Sequence, residues 1–315
     1  MPMDRRSFIK RGAATGAAAF LGTSLIGRKV LAGIIDKEAD ITVINGTDYF
    51  VNTQKAVELL GGMQKFVHQG SKVGLIINSG FEQKGAYVNP DISLSTIKMC
   101  FEAGAEEVIC LQVVADTYWA RSDHHEGMKE MFKSVSQVES NNFPAEFNDE
   151  DWKLVPGIDG ANSLGEVEVI KALDEVDVLI NIFIAKHHAG ALYTGALKNS
   201  MGFCTRKSCV FFHLGSGERN DPEFLAQCIA DINLLRLPDL IIGDATEFIT
   251  TNGPSGPGDT NKLDKIFAGT NLVAMDALGV SYNDMDAEDI LTLIKAEKMG
   301  LGTYDIGGLN VVEIS

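Results

Sequence analysis

The chain has 315 residues, 45% of them hydrophobic and 22% charged, with 32 glycines and 8 prolines; this excludes wholesale disorder, collagen-like repeats and a disulfide-dense miniprotein. The net charge is -16, and the first 32 residues hold six of the 27 basic residues and one of the 43 acidic ones, leaving 21 against 42 beyond them. So acidic a surface repels phosphate backbones and anionic lipid headgroups, so no nucleic-acid partner is expected.

The first element is an address. Residues 4–10 read Asp-Arg-Arg-Ser-Phe-Ile-Lys, followed by a weakly apolar run from Ala13 to Ile26, then Arg28, Lys29 and Val30-Leu31-Ala32. A basic start, a short Ala/Gly-rich apolar run and a small-residue site make an export signal, too short and too glycine-rich for an ordinary membrane span. The Arg-Arg-Ser-Phe-Ile-Lys run resembles the twin-arginine (Tat) signal at every position of its pattern. Residues 1–32 are therefore expected to be a Tat signal peptide cleaved before Gly33, and residues 33–315 one α/β domain. The Tat translocase is the implied partner during export. The implied location is periplasmic or otherwise extracytoplasmic, with a membrane anchor if the signal stays on. The resemblance also implies export in the folded state, often with a cofactor already inserted.

The mature chain alternates apolar strands with amphipathic helices. A short strand is expected at 41–44, then a helix capped by Thr53 with Val57, Leu60, Met63 and Val67 on one face. Lys72–Asn78 reads as a buried strand. Asp91 precedes a helix carrying Leu94, Ile97 and Phe101 that stops at Gly104. Glu107–Val113 is the next strand. Between 114 and 160 the pattern weakens into an irregular excursion, with His124 and His125 expected in a solvated acidic loop. Ser163-x-x-Glu166 reads as a capping box ahead of a helix with Val167, Ile170 and Leu173. Asp177–Phe183 is a near-continuous apolar strand. Asp221-Pro222 opens a helix carrying Leu225, Cys228, Ile229 and Ile232. Strands follow at 237–244 and 265–269, helices at 272–279 and 287–298, and a last strand at 310–314. Continuous apolar strands alternating with helices predict a mostly parallel β-sheet covered by helices on both faces.

The chemistry is expected after the strand that ends at Phe183. Ligands of open α/β sheets bind beyond the carboxyl ends of their strands. There the chain carries Lys186, His187, His188, Thr194, Lys198 and Asn199, with His213 beyond. Imidazoles bind metals, a desolvated lysine binds an anion or acts as a base, and backbone N–H groups near Thr194 suit an anion at a helix start. A second segment, Asn252-Gly253-Pro254-Ser255-Gly256, follows the strand ending at Asp244 and lets a backbone approach a ligand closely.

These segments carry a family resemblance. Lys186, His188, Thr194, Gly195, Lys198, Asn199, Gly202, His213, Pro238, Asp239, Asp244, Gly253, Pro254, Asp276 and Ala277 together resemble the recurrent pattern of DUF362, a domain family of unknown function. Asn78 corresponds to the end of a family Lys-Pro-Asn, with Ile76 and Ile77 standing in place of the Lys and Pro. Some members of the family carry ferredoxin-type cysteine motifs. The five cysteines here, Cys100, Cys110, Cys204, Cys209 and Cys228, form no iron–sulfur motif, and the sequence leaves a Cys204–Cys209 disulfide open.

Three functional readings follow. The first is a metal-dependent enzyme or metal-binding protein acting on a small anionic substrate. His188, His213, Asp244 and Asp276 would hold a divalent transition metal, and Lys198 and His213 would be catalytic. Lys186, Thr194, Asn199, Asn78, Asn252, Gly253, Ser255 and Gly256 would bind substrate. The second is a non-catalytic module binding a small anion with the same loops. The third is an accessory subunit of an exported redox complex, meeting its redox partner protein through the 114–160 excursion.

Overall fold

The computed structural model describes residues 38–138 and 150–315. The Tat-like segment lies outside them. Twelve strands are described: β1 (Ile41–Asn45), β2 (Lys72–Ile77), β3 (Glu107–Cys110), β4 (Val135–Gln137), β5 (Trp152–Val155), β6 (Val167–Ile170), β7 (Val178–Ile184), β8 (Lys186–His188), β9 (Leu192–Thr194), β10 (Leu240–Ile249), β11 (Thr260–Gly269) and β12 (Val311–Ile314). Eight of them form one sheet in the order β12-β1-β11-β10-β7-β2-β3-β4. Every neighbouring pair is parallel except the two that β11 makes, with β1 and with β10. The expected mostly parallel sheet is therefore what forms. Its centre is dry: all seven residues of β7 are buried, as a strand covered on both faces requires.

The principal helices are α1 (Tyr49–Leu59), α2 (Pro90–Glu102), α3 (Ala196–Asn199), α4 (Arg206–Leu214), α5 (Pro222–Ile232), α6 (Leu272–Ser281) and α7 (Leu291–Lys298). Strand alternation separates them into two layers. Thr42 on β1 donates its hydroxyl to Ala56 of α1 at 2.8 Å, so this side chain faces α1. Register carries that face from Thr42 to Ala268 and on to Ile242. Two residues further, Asp244 faces the same way and accepts the N–H of Asn89 at the start of α2, 2.7 Å away. The next-door parity faces the other layer: Asn181 reaches Ala196 of α3, and Gly269 lies under Met275 of α6.

Several local expectations are corrected. Thr53 is not a cap; Asp48 caps α1 through Val51 N–H at 3.0 Å, and Thr53 bonds back to Tyr49 inside the helix. The Ser163-x-x-Glu166 segment does not open a helix. Val167–Ile170 is strand β6, paired antiparallel with β5. The backbone N–H groups of Asn162, Ser163 and Leu164 are accepted instead by Asp231 of α5. The 114–160 excursion is partly regular: it supplies the edge strand β4 and strand β5. His124 and His125 are not simply solvated, since His124 stacks on Phe50 at 4.1 Å and His125 meets Phe132 edge-on at 4.9 Å. All five cysteines are buried free thiols. No helix among the described residues is long and apolar enough to cross a membrane.

Candidate functional site

Strands β2, β7 and the first half of β10 run parallel, β10 continuing beyond Asp244 against β11, and the polar loop after β7 folds over this end of the sheet. It does so as a small hairpin. β8 and β9 pair antiparallel, with Lys186 opposite Thr194 and His188 opposite Leu192. The 252–258 turn docks on the hairpin. Ala189 N–H reaches Gly253 O and Gly253 N–H reaches His187 Nδ1, each at 3.0 Å. Gly253 is required there, because a Cβ at this position would run into the His187 carbonyl. The two segments singled out in the sequence thus form one structure.

Lys186 is fully buried. Its ammonium donates to the carbonyl oxygens of Ala86 and Pro254 (the latter at 2.8 Å) and approaches Asn78 Oδ1 at 3.5 Å. It also sits 4.2 Å from the centre of the Phe81 ring. Among the described residues it has no carboxylate partner. Burial, and then the nearby charge of Lys198, push its pKa well below the usual lysine value.

His188 is 6% exposed, and its Nδ1 accepts the N–H groups of Gly190 and Ala191, each at 3.0 Å. A neutral ring accepting at Nδ1 carries its proton on Nε2. Burial first, then Lys198, His213, Lys186 and His187, drive its pKa down to about 2. His188 is therefore a fixed Nε2–H donor at neutral pH. His213, on α4, has the complementary tautomer: its Nδ1 lies 2.8 Å from Asn220 Oδ1, which only accepts. Its Nε2 thus keeps a lone pair. The two rings stack with centroids 6.0 Å apart and planes 16° from parallel.

Lys198, at the end of α3, retains some surface, yet the protein packed round its ammonium desolvates it. Its hydrogen-bond contact is the thioether of Met201 at 3.5 Å. Desolvation lowers its pKa to about 8. Its charge in turn holds down the pKa values of Lys186, His188 and His213. Thr194 Oγ1 and Ser79 Oγ, next to Lys186 in the hairpin and to Asn78 in the chain, are buried without a partner.

The expected metal ligands do not assemble. Among the described residues no group of three or more His, Cys, Asp or Glu side chains is placed to hold a metal ion. The reason is visible residue by residue. Asp244 faces the α1–α2 layer and spends its oxygens on Asn89 and Thr246 N–H groups. Asp276 lies in the opposite layer and accepts the N–H groups of Ala196 and Leu197. His188 presents a proton, not a lone pair, at Nε2. Burial raises the Asp244 pKa to about 6 and that of Asp276 to about 7, against the pull of those same N–H groups.

Of the expected substrate-binding residues, Lys186, Thr194, Asn78 and Gly253 come together at the hairpin. Asn199 faces inward: its Nδ2 serves Asn181 Oδ1 at 2.8 Å and the carbonyls of Ile76 and Ile182. It ties α3 to the strand ends. Asn252 bonds within its own turn, to Pro257 O at 3.2 Å, and Asn252 and Ser255 are exposed. Gly256, partly buried, gives its N–H to Asn252 O at 3.1 Å. Phe81 and Asn220 also belong to the site. No spacing marks Phe81 or Asn220, since both act through contacts made only in the fold.

Comparison with known proteins follows this geometry. The profile of the domain of unknown function DUF362 matches residues 72–281. A thylakoid-associated protein of Synechocystis sp. is 23% identical over 254 residues, covering 78% of this chain and 73% of that protein. The lactate racemase apoprotein from Thermoanaerobacterium thermosaccharolyticum aligns in structure with a TM-score of 0.42 and 13% identity. That alignment covers 84% of this chain and 58% of the other, so the chain spans less than two thirds of that neighbour's length.

Proposed function

The chain belongs to the DUF362 family, whose name states no activity, and from that premise we propose that it binds a small anionic ligand at the carboxyl ends of β2 and β7. One observation carries this reading. Lys186, His187, His188, Lys198 and His213 converge, each with a lowered pKa, the other four all hold down His188, and among the described residues none of the five pairs with a carboxylate. A buried cluster of one sign is paid for by desolvation and repulsion, and a bound anion relieves both. The neutral groups present add donors: His188 Nε2–H and the unpartnered Thr194 hydroxyl. Lys186, with three acceptors already, contributes field rather than a free N–H. The metal-dependent form of the reading is set aside: His188 and His213 lie together, but Asp244 and Asp276 lie on opposite faces of the sheet.

Export by the twin-arginine route is part of the proposal. It rests on the pattern at residues 4–10, and the thylakoid association of the Synechocystis relative agrees with a place outside the cytosol.

Binding has a worked-out pH sign. The Lys198 pKa is lowered to about 8, so the unliganded site holds that proton below pH 8 and loses it above. Acetate, oxalate and inorganic phosphate are the probes, titrated calorimetrically into the full-length protein. At least one is expected to bind, with affinity falling by up to about tenfold per pH unit above 8. Failure of all three to bind, or binding to Lys198→Met as tight as to the wild type, overturns the proposal.

A further inference from the structure

We infer that Lys198 forms an imine with the carbonyl carbon of a small 2-oxo carboxylate held in this cluster, making the site one for covalent carbonyl chemistry. The inference deepens the anion-binding reading and rests on it. Three observations carry it. The two lysines are committed differently: among the described residues the Lys186 ammonium meets three oxygen acceptors, whereas Lys198 meets only a thioether. A buried amine with no oxygen to hold its proton is the reactive one of the pair. The two histidines offer opposite groups on parallel rings: a lone pair at His213 Nε2 and a proton at His188 Nε2. Carbonyl addition needs both, a base for the amine proton and a donor for the developing oxyanion. Thirdly, Thr194 Oγ1 is a buried donor without a partner in the same hairpin, available to a ligand carboxylate or carbonyl oxygen.

The step balances without a redox partner. The Lys198 nitrogen lone pair attacks the carbonyl carbon, and the C=O π electrons move to oxygen, which His188 Nε2–H stabilises by hydrogen bonding. His213 Nε2 takes one proton from the attacking nitrogen and returns it to that oxygen. A second proton, drawn from solvent, lets the oxygen leave as water while the nitrogen lone pair closes the C=N bond. Amine, carbonyl and one proton thus give a protonated imine and one water. The ammonium of Lys198 must first lose its own proton, which its desolvation makes accessible near neutral pH.

The experiment uses the full-length protein, pyruvate as the probe and sodium borohydride as the trap. The expected result is one reduced adduct per chain, mapped by peptide mass spectrometry to Lys198 and absent from Lys186. The adduct is lost in Lys198→Arg, whose folding is checked by thermal unfolding, and its yield falls in His213→Gln. An adduct that survives Lys198→Arg, or that spreads over surface lysines, overturns the inference. So does the absence of any adduct. Calorimetry with pyruvate separates the two levels. Binding without trapping removes the imine and leaves the anion site, while no binding of pyruvate, acetate, oxalate or phosphate removes both.

Discussion

Asp231 accepts the backbone N–H groups of Asn162, Ser163 and Leu164 and the side-chain amide of Gln227, whereas Lys198 meets one thioether. The contrast runs through the molecule. Asp244 and Asp276 are buried as well: Asp276 holds two N–H groups at the start of α3, and Asp244 holds one at the start of α2 and one within its own strand. The buried acids satisfy backbone donors that would otherwise be stranded, so they are explained by the fold. Among the bases after β7, Lys186, His187 and His188 also serve backbone groups, but Lys198 serves none among the described residues. Burial lowers the Lys198 pKa, the charges of its neighbours add to burial at His188, and no backbone group among the described residues accounts for the Lys198 ammonium. Unexplained buried charge of one sign is the mark of a site awaiting a ligand.

The largest effect expected from breaking this comparison is at Asp231. Asp231→Ala strands three backbone donors under α5 and is expected to lower unfolding free energy by roughly 3 kcal/mol or more, at about 1 kcal/mol per donor. Urea denaturation measures it. A loss no larger than that of a surface substitution would mean that the acids are not structural, and the contrast with the bases would fail.

A middle effect is expected where the two halves of the site meet. Gly253→Ala places a methyl against the His187 carbonyl and is expected to cost about 1–3 kcal/mol as the turn moves away from β8. The same shift withdraws Pro254 O from Lys186, so anion affinity should fall with stability. Ser255→Ala, at the exposed tip of the same turn, should change neither. Equal behaviour of the two variants would show that the turn is a surface feature and not part of the site.

The comparison also explains what the sequence made legible. Strands β2, β7 and the first four residues of β10 stand out as near-continuous apolar runs, because both faces of a central strand are covered. The cluster of bases is visible for a related reason: its members lie within one loop and one following helix. The acids are another matter. Asp244 and Asp276 both follow apolar strands or lie in apolar helices, and chain order does not tell which face of the sheet each addresses. That parity is decided by register with β11 and by α3, so a four-residue metal set that is plausible on paper divides between two layers. The Ser163-x-x-Glu166 box misleads in the same way. Its N–H groups do need an acceptor, but Asp231 supplies it from 67 residues away. Asn199 sits among ligand-like residues and yet plugs three oxygens at the strand ends.

The smallest stability effect is expected at Lys198, and it is the one that decides between the two kinds of buried charge. Lys198→Met keeps the length and apolar body of the side chain and removes an ammonium that has no oxygen partner among the described residues. Replacing an uncompensated buried charge by a matching apolar group is neutral or stabilising, so no loss of stability is expected here. The sign with pH follows. The folded pKa of about 8 lies below the unfolded lysine value of 10.5, so the wild type gains stability as pH rises from 8 toward 10.5, and the variant lacks that gain. Calorimetric unfolding at pH 7 and pH 9.5 reads both. If Lys198→Met instead loses stability on the scale of Asp231→Ala, the lysine is a structural tie like the acids. If stability holds while anion binding disappears, the ammonium serves the ligand alone.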